Sequence, residues 1–395
     1  MYDVCVIGGC GHVGLPLAIA LADKGKKVCI QDINENAVKD VASGKMPFTE
    51  AGAEELLAKT LASGNLSVSS GPSCISESRI VISIIGTPVD EYLNPKLGVM
   101  RSIIDQYAEY FKDGQLLILR STLYPGITNK VAEWLRQNGK KMHIAFCPER
   151  ILEGKAMTEL SSLPQIISSF SAEGLAMARE LFSSLTDDIV EVTPIEAELA
   201  KLFTNVWRYI KFAVANQFYM IANNYDVNFY NVHHAVTHNY DRAKDMPRPG
   251  FAAGPCLFKD TMQLGAFNDG DFYLGHAAML INEGLPNYIA KRLKQKHDLS
   301  KRVIGILGMA FKAGSDDIRE SLSYKLKKIL DHEARDVLCT DPLVKDDRLL
   351  PLEEVVTRSD IIVIAAPHPE YSKLGLEGKV VADVWNVLGK GGVIL

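Results

Sequence analysis

Short apolar runs alternate with stretches of helical periodicity over the first part of the chain, the pattern of parallel strands with helices laid between them. Val4–Ile7 predicts a first strand, and Leu15, Ala18, Ile19 and Leu21–Ala22 give the next segment one apolar helical face. Lys27–Ile30 predicts a second strand leading to Asp32, with others at Ile80–Ile85, Leu116–Leu119 and His143–Phe146. Each runs into a turn rich in Gly, Pro, Thr or Ser. Doubly wound sheets bind their ligands at those carboxyl ends.

From Pro194 the period changes. Leu199, Leu202, Phe203, Val206, Ile210 and Val214 recur at three- and four-residue steps and predict one long helix from Ile195 to about Asn224. Further helical segments follow, broken by a Gly/Pro-rich turn around Cys256. From Lys301 the alternation returns: a strand at Val303–Gly308, a helix near Ser323–Leu330, a strand at Asp336–Asp341 and another at Ile361–Ala365. These parts repeat the order of the first domain. The expected fold is α/β, with two Rossmann-like doubly wound domains (residues 1–194 and 300–395) joined by a long helix and a helical central domain (195–299) that carries Cys256.

Composition narrows the class. Hydrophobic residues make up 47% and charged residues 23% of the 395, as in an ordinary globular protein. A net charge of -5 gives no basic footprint for nucleic acid or an anionic membrane. No apolar run is long enough to span a bilayer. Seven cysteines, scattered and odd in number, argue against a disulfide framework. Met1–Gly8 enters a strand without the pattern of a secretory leader, so a cytosolic location with reduced thiols is expected.

Gly9-Cys-Gly-His-Val-Gly14 is a G-x-G-x-x-G between a strand and a helix. Gly9 permits the tight turn, Gly11 lets the backbone approach a pyrophosphate, and Gly14 allows close packing of helix on sheet, with His12 and Val13 between them. The helix N-terminus then faces the phosphates. Asp32 stands where a carboxylate binds a ribose 2'-hydroxyl and repels a 2'-phosphate, which predicts NAD rather than NADP.

Gly250-Phe-Ala-Ala-Gly-Pro-Cys-Leu-Phe-Lys-Asp260 sets a thiol in a glycine-rich turn with Lys259 and Asp260 just behind it. A thiol is a good nucleophile as thiolate, and a nearby cation favours that form. Taken alone, a cysteine is more often a small buried hydrophobe. Lys201 and Asn205, four apart on the long helix, share a face and can offer a cation and an amide donor to an oxygen that gains charge.

Together with Gly86-Thr-Pro88, Arg120-Ser-Thr122, Pro148-Glu-Arg-Ile-Leu-Glu153, Glu198-Leu-Ala-Lys-Leu-Phe-Thr-Asn205 and Phe311-Lys-Ala-Gly-Ser-Asp-Asp-Ile-Arg-Glu-Ser321, these motifs resemble the UDP-glucose/GDP-mannose dehydrogenase family nearly end to end. The resemblance implies NAD-dependent oxidation of a nucleotide sugar at C6, alcohol to aldehyde to acid. It implies that Cys256 attacks the aldehyde to give a thiohemiacetal, whose oxidation yields a thioester that water hydrolyses. Lys201, Asn205, Asp260, Glu149 and Thr122 take the other catalytic positions, with Glu149 as base for hydrolysis and Thr122 holding water. Thr87, Thr122, Glu153, Lys259 and Arg319 match cofactor contacts. Glu149, Lys201, Asn205, Phe251, Phe311 and Lys312 match substrate contacts, joined by Arg242 reaching a partner's substrate across a homodimer.

Two departures stand out. Pro255 precedes the nucleophile and removes a backbone N–H, and Asp383-Val-Trp-Asn386 has Trp385 where the family often has arginine. The turn resembles the glucose and mannose branches, while Ser121–Gly126 and Pro148–Arg150 resemble the N-acetylhexosamine branch, so both UDP-hexose and UDP-N-acetylhexosamine remain open. A β-hydroxyacid dehydrogenase would lack the second Rossmann-like domain and Cys256. A non-catalytic nucleotide-sugar or NAD sensor would have no need of Lys201, Asn205, Cys256 and Asp260 together. His233, His234 and His238 lack the glutamate of a zinc-protease helix, and no metal is expected there. The basic run Lys291–Lys296 reads as a solvated helix face.

Overall fold

A computed structural model describes residues 1–86, 90, 96–251, 254, 256–392 and 394. The chain divides into two compact units, Met1–Phe203 and Thr204–Leu395. The division falls inside the long helix Pro194–Asn224.

The first unit is built on a parallel sheet of β1 (Tyr2–Ile7), β2 (Val28–Gln31), β3 (Leu66–Ser69), β4 (Ser78–Ser83), β5 (Leu116–Leu119) and β6 (His143–Phe146). Their order across the sheet is β3-β2-β1-β4-β5-β6, with the switch point between β1 and β4. Val4, Val6, Val28, Ile30, Ile80 and Ile82 point into one apolar layer, and Cys5, Ile7, Cys29, Val81 and Leu117 point into the other. Both faces are covered, which is why these strands read as continuous apolar runs rather than as alternation. A short parallel pair, β7 (Gln165–Ile167) and β8 (Ile189–Glu191), lies beyond the main sheet.

Eight of the ten residues of the helix Gly14–Asp23 are buried, so it is an inner helix with no polar stripe to signal an edge. Where the sequence predicts a strand to Ile85, β4 ends at Ser83 and the chain leaves the sheet at the mouth of the switch point.

The second unit joins helices to a four-stranded parallel sheet. Its helical part comprises the rest of the long helix, Phe229–Thr237, Leu257–Phe267 and Tyr273–Lys296. The sheet holds β9 (Val303–Leu307), β10 (Asp336–Thr340), β11 (Ile361–Ile364) and β12 (Val380–Ala382) in the order β10-β9-β11-β12. One core runs through the unit: Tyr219, Phe229, Phe251, Leu285 and Ile289 of the helical part pack with Ile304, Ile306, Val363 and Val384 of the sheet part. Among the described residues no helix is long and apolar enough to cross a membrane.

Candidate active site

In the first unit the glycine loop leaves β1 and turns into the helix Gly14–Asp23. A Cβ on Gly14 would come within 2.6 Å of the Gly9 Cα, and one on Gly9 within 2.9 Å of the Ile30 side chain. Both glycines are therefore dictated by packing. Gly11 differs, because a Cβ there would meet nothing within 4 Å and would occupy open space above the loop. Val13 at the helix N-cap supplies no side-chain acceptor; the Leu15 N–H donates to the Gly11 carbonyl at 3.0 Å and Pro16 carries no N–H, so an anion here would meet the loop backbone and the positive end of the helix rather than a full first turn of amides. His12 lies with its ring 4.0 Å from that of Phe48.

Asp32, just past β2, accepts the Cys10 N–H at 2.9 Å on one oxygen and the Asn34 N–H at 3.0 Å on the other. The carboxylate thus fixes the loop while remaining only partly buried. Burial, reinforced by the neighbouring Asp32 charge, pushes the Cys10 thiol up to about 12 and keeps it protonated inside the loop. The open face of Gly11, the uncapped helix and Asp32 fit a dinucleotide, with its pyrophosphate at the loop and a ribose hydroxyl at the carboxylate.

Further along the same sheet edge stands Arg120, fully buried after β5. Its guanidinium donates to Glu149 Oε2 at 3.0 and 2.5 Å, to the Cys147 carbonyl at 3.0 Å and to Gln165 at 3.1 Å, and it lies over the Phe182 ring at 4.8 Å. Glu149 Oε1 accepts the amides of Arg150 and Ile151 at 2.7 and 3.0 Å. Two further carboxylates, neither singled out by the sequence, grip the loop that follows. Glu159 accepts the Leu152 N–H at 2.6 Å, and buried Glu50 accepts those of Gly154 and Ala156 at 2.8 Å each. The segment from Glu149 to Ala156 is held by carboxylates that receive its backbone donors. Glu153 and Thr122 are partly buried in this unit.

Glu198, at the start of the long helix, makes a comparable clamp. It is 1% exposed and accepts the amides of Gly126 and Thr128 and the Thr128 hydroxyl at 2.6, 2.8 and 2.5 Å. Lys201 follows Glu198 by three residues and precedes Asn205 by four on the same helix.

In the second unit Cys256 forms the N-cap of the helix Leu257–Phe267. It is exposed, whereas the other six cysteines are buried. A thiol at a helix N-terminus lies at the positive end of the dipole, which favours thiolate. Asp260, one turn on and 0% exposed, donates its N–H to the Cys256 carbonyl at 2.9 Å. Its carboxylate accepts the Asn205 amide at 2.6 Å and faces the Lys259 ammonium at 3.8 Å. The structure therefore brings Asn205, Asp260 and the Cys256 turn together.

Phe251 is buried in the core of the unit, Phe311 is partly buried, and Lys312 Nζ lies 5.3 Å over the Phe311 ring. Arg319 forks onto Asp317 two residues earlier, with its shortest contact at 2.6 Å. Arg242 lies exposed in a turn. His233 shares a hydrogen bond with the Met246 carbonyl at 3.0 Å. Thr87 and Pro255 lie outside the described residues. Trp385 donates its indole N–H to the Ala365 carbonyl at 3.0 Å.

A Rossmann sheet ending in this glycine cradle and Asp32 defines an NAD-binding protein. Comparison with known proteins narrows that class. Three models of the UDP-glucose/GDP-mannose dehydrogenase family match in order: the NAD binding domain at residues 2–186, the central domain at 195–283 and the UDP binding domain at 305–390. UDP-N-acetyl-D-mannosamine dehydrogenase from Pyrococcus horikoshii is 32% identical over 96% of this chain and 94% of its own. NDP-N-acetyl-D-galactosaminuronic acid dehydrogenase from Ralstonia nicotianae is 28% identical over 95% of this chain and 94% of its own. A solved UDP-glucose dehydrogenase from Pyrobaculum islandicum superposes with a TM-score of 0.90 at 25% identity, covering 100% of this chain and 95% of that one. The chain belongs to the UDP-glucose/GDP-mannose dehydrogenase family, and its chemistry is NAD-dependent oxidation of a nucleotide sugar.

Proposed function

We propose that the protein oxidises the C6 alcohol of a UDP-linked N-acetylhexosamine to the uronic acid, in two successive two-electron steps through a covalent adduct on Cys256. The product is a precursor for polysaccharide synthesis. The observation that carries this reading is the exposed thiol at a helix N-terminus, one turn before a buried aspartate held by Asn205. The sugar class rests on relatives named for N-acetylated sugars, together with Ser121–Gly126 and Pro148–Arg150.

NAD, held by Gly9, Gly11, Gly14 and Asp32, supplies hydride acceptance for each oxidation. Cys256 thiolate adds to the C6 aldehyde carbon, and the carbonyl oxygen takes a proton to complete the thiohemiacetal. Loss of a hydride and of the hydroxyl proton converts this adduct to a thioester. Water then adds at the thioester carbon, the C–S bond breaks, and the thiolate and the acid separate. Lys201 and Asn205 stabilise the C6 oxygen as it gains charge, and Asp260, fixed by Asn205, orients the water.

Glu149 enters this scheme differently from the sequence expectation. Its two oxygens already receive four donors, so we assign it to holding the 149–156 loop through Arg120 rather than to accepting a proton. The divisions 1–194, 195–299 and 300–395 serve as cofactor, nucleophile and nucleotide-sugar regions. The working form is a homodimer.

The test is NADH yield per sugar across UDP-N-acetylmannosamine, UDP-N-acetylglucosamine, UDP-N-acetylgalactosamine and UDP-glucose. Two NADH per UDP-N-acetylhexosamine, abolished by Cys256→Ser while NAD binding persists, supports the proposal. A yield of one, or a normal uronate yield from the Ser variant, refutes the covalent route.

A further inference from the structure

Three asparagines lie buried on one face of the long helix: Asn205 (4% exposed), Asn216 (0%) and Asn223 (0%). Their spacings of eleven and seven residues add to eighteen, five full turns at 3.6 residues per turn. Each holds a different segment of the second unit. Asn205 donates to Asp260, and Asn223 accepts the Ile394 N–H at 3.0 Å near the end of the chain.

The middle one grips the nucleophile turn at its start. Asn216 accepts the Gly250 N–H at 2.8 Å and donates to the Gly250 carbonyl at 3.0 Å, pairing with that residue's backbone as a strand would. Its second amide hydrogen goes to Asn282 Oδ1 at 2.9 Å, and Asn282 donates in turn to the Tyr209 carbonyl at 3.0 Å. The amide of Asn216 is therefore fully engaged and its orientation fixed. A buried polar network of this kind is stable only when every member is satisfied, and it then specifies one geometry.

Aromatic rings bound the same turn. A Cβ on Gly250 would come within 2.4 Å of three atoms of the Trp385 ring. One on Gly254, whose φ is +115°, would come within 2.8 Å of the Phe311 ring. Trp385 thus closes against the main chain at the point that Asn216 holds.

We infer that Asn216, oriented by Asn282, is a positioning residue for the oxidation chemistry: with Asn205 it fixes both ends of the Cys256 turn to one helix and sets where the thiol stands. This rests on Cys256 being the nucleophile. The polar rungs hold the turn's first residue and the aspartate one turn beyond the thiol.

The experiment compares Asn216→Ala with Asn223→Ala, an equally buried rung whose side chain holds Ile394 rather than the turn. For Asn216→Ala, kcat should fall by about 10- to 100-fold, the size expected for a reacting group displaced by about 1 Å. KM for the sugar and for NAD should stay within about threefold, since binding is retained while transition-state geometry is lost. The pH midpoint for alkylation of Cys256 by iodoacetamide should rise as the thiol leaves the helix N-terminus. Asn223→Ala should lower the melting temperature without moving kcat or that midpoint.

An Asn216→Ala enzyme with kcat and alkylation midpoint unchanged overturns the inference. So does an Asn223→Ala enzyme with the same kinetic loss. Should Asn216→Ala not fold, Gly250→Ala displaces the same residue from the Trp385 side and carries the same two expectations, with the same overturning result. Cys256→Ser separates the two levels of the argument. A normal two-NADH yield from it removes the nucleophile assignment itself, whereas an inactive Cys256→Ser beside an unaffected Asn216→Ala removes only the positioning role.

Discussion

Arg120 shows how one residue organises a site it need not touch. Its charge is wholly buried, and four hydrogen bonds and a ring face replace the water it has lost. Removing the cation leaves Glu149 buried and uncompensated, which costs about 3–5 kcal/mol in pairs of this kind. Arg120→Met is expected to lower the unfolding free energy obtained from urea titration by that amount, and Arg120→Lys to recover only part of it because an ammonium cannot fork. Asp341 makes a different, pH-dependent contribution. Burial raises its pKa, but the facing His368 imidazole, 3.4 Å away, and hydrogen bonds from the amides of Ala310, Leu343 and Val344 outweigh burial and leave it at about 2. A carboxylate depressed in the folded state contributes stability above its unfolded value of 3.8 and loses it as pH falls toward 2. Acid unfolding followed by circular dichroism should steepen across that window, and Asp341→Asn should flatten it.

Among elements, the glycine loop and its helix are the most constrained. Gly14→Ala should force the helix away from Gly9, so NAD affinity and melting temperature should fall together, measured by fluorescence titration and calorimetry. Asp32 carries the cofactor choice: kcat/KM for NAD should exceed that for NADP in the unmodified enzyme, and Asp32→Asn should narrow the gap by removing charge repulsion. These parts were legible because strand, glycines and aspartate lie close together in sequence. So was the long helix, whose apolar stripe runs for many turns. β3 was not, since Leu66-Ser-Val-Ser69 is a short edge strand with two serines, and β12 is shorter still. Glu50, Glu198 and Asn216 escaped for a different reason. Each is a single polar residue whose partners are distant in sequence, 104 residues for Glu50 and Gly154 and 34 for Asn216 and Gly250. Cys256, Asn205 and Asp260 could be named from their motifs, but the hydrogen bond that joins two of them needed coordinates.

At the scale of the whole molecule, the long helix leaves a row of large apolar side chains exposed among the described residues. Trp207, Val214, Phe218 and Ile221 are 59%, 42%, 48% and 46% exposed, at steps of seven, four and three residues. Such a stripe is the pattern of a helix that meets its own copy about a two-fold axis. Light scattering is expected to give twice 43.5 kDa, and Phe218→Glu to shift the population toward the single chain with loss of activity. A fully active 43.5 kDa species in the unmodified protein would rule the dimer out.

The cysteines also give the protein a built-in folding gauge. Seven are present and one is exposed, while burial pushes Cys10, Cys147 and Cys339 up to about 12. A chromogenic disulfide reagent should therefore count a single fast thiol in the native chain and seven in denaturant. The slow remainder reports how often the sheets open, strand by strand: Cys5 and Cys29 time the cofactor domain, and Cys339 times the sheet at the other end of the chain. Without any engineered label, the opening of each sheet can be followed through its own thiols.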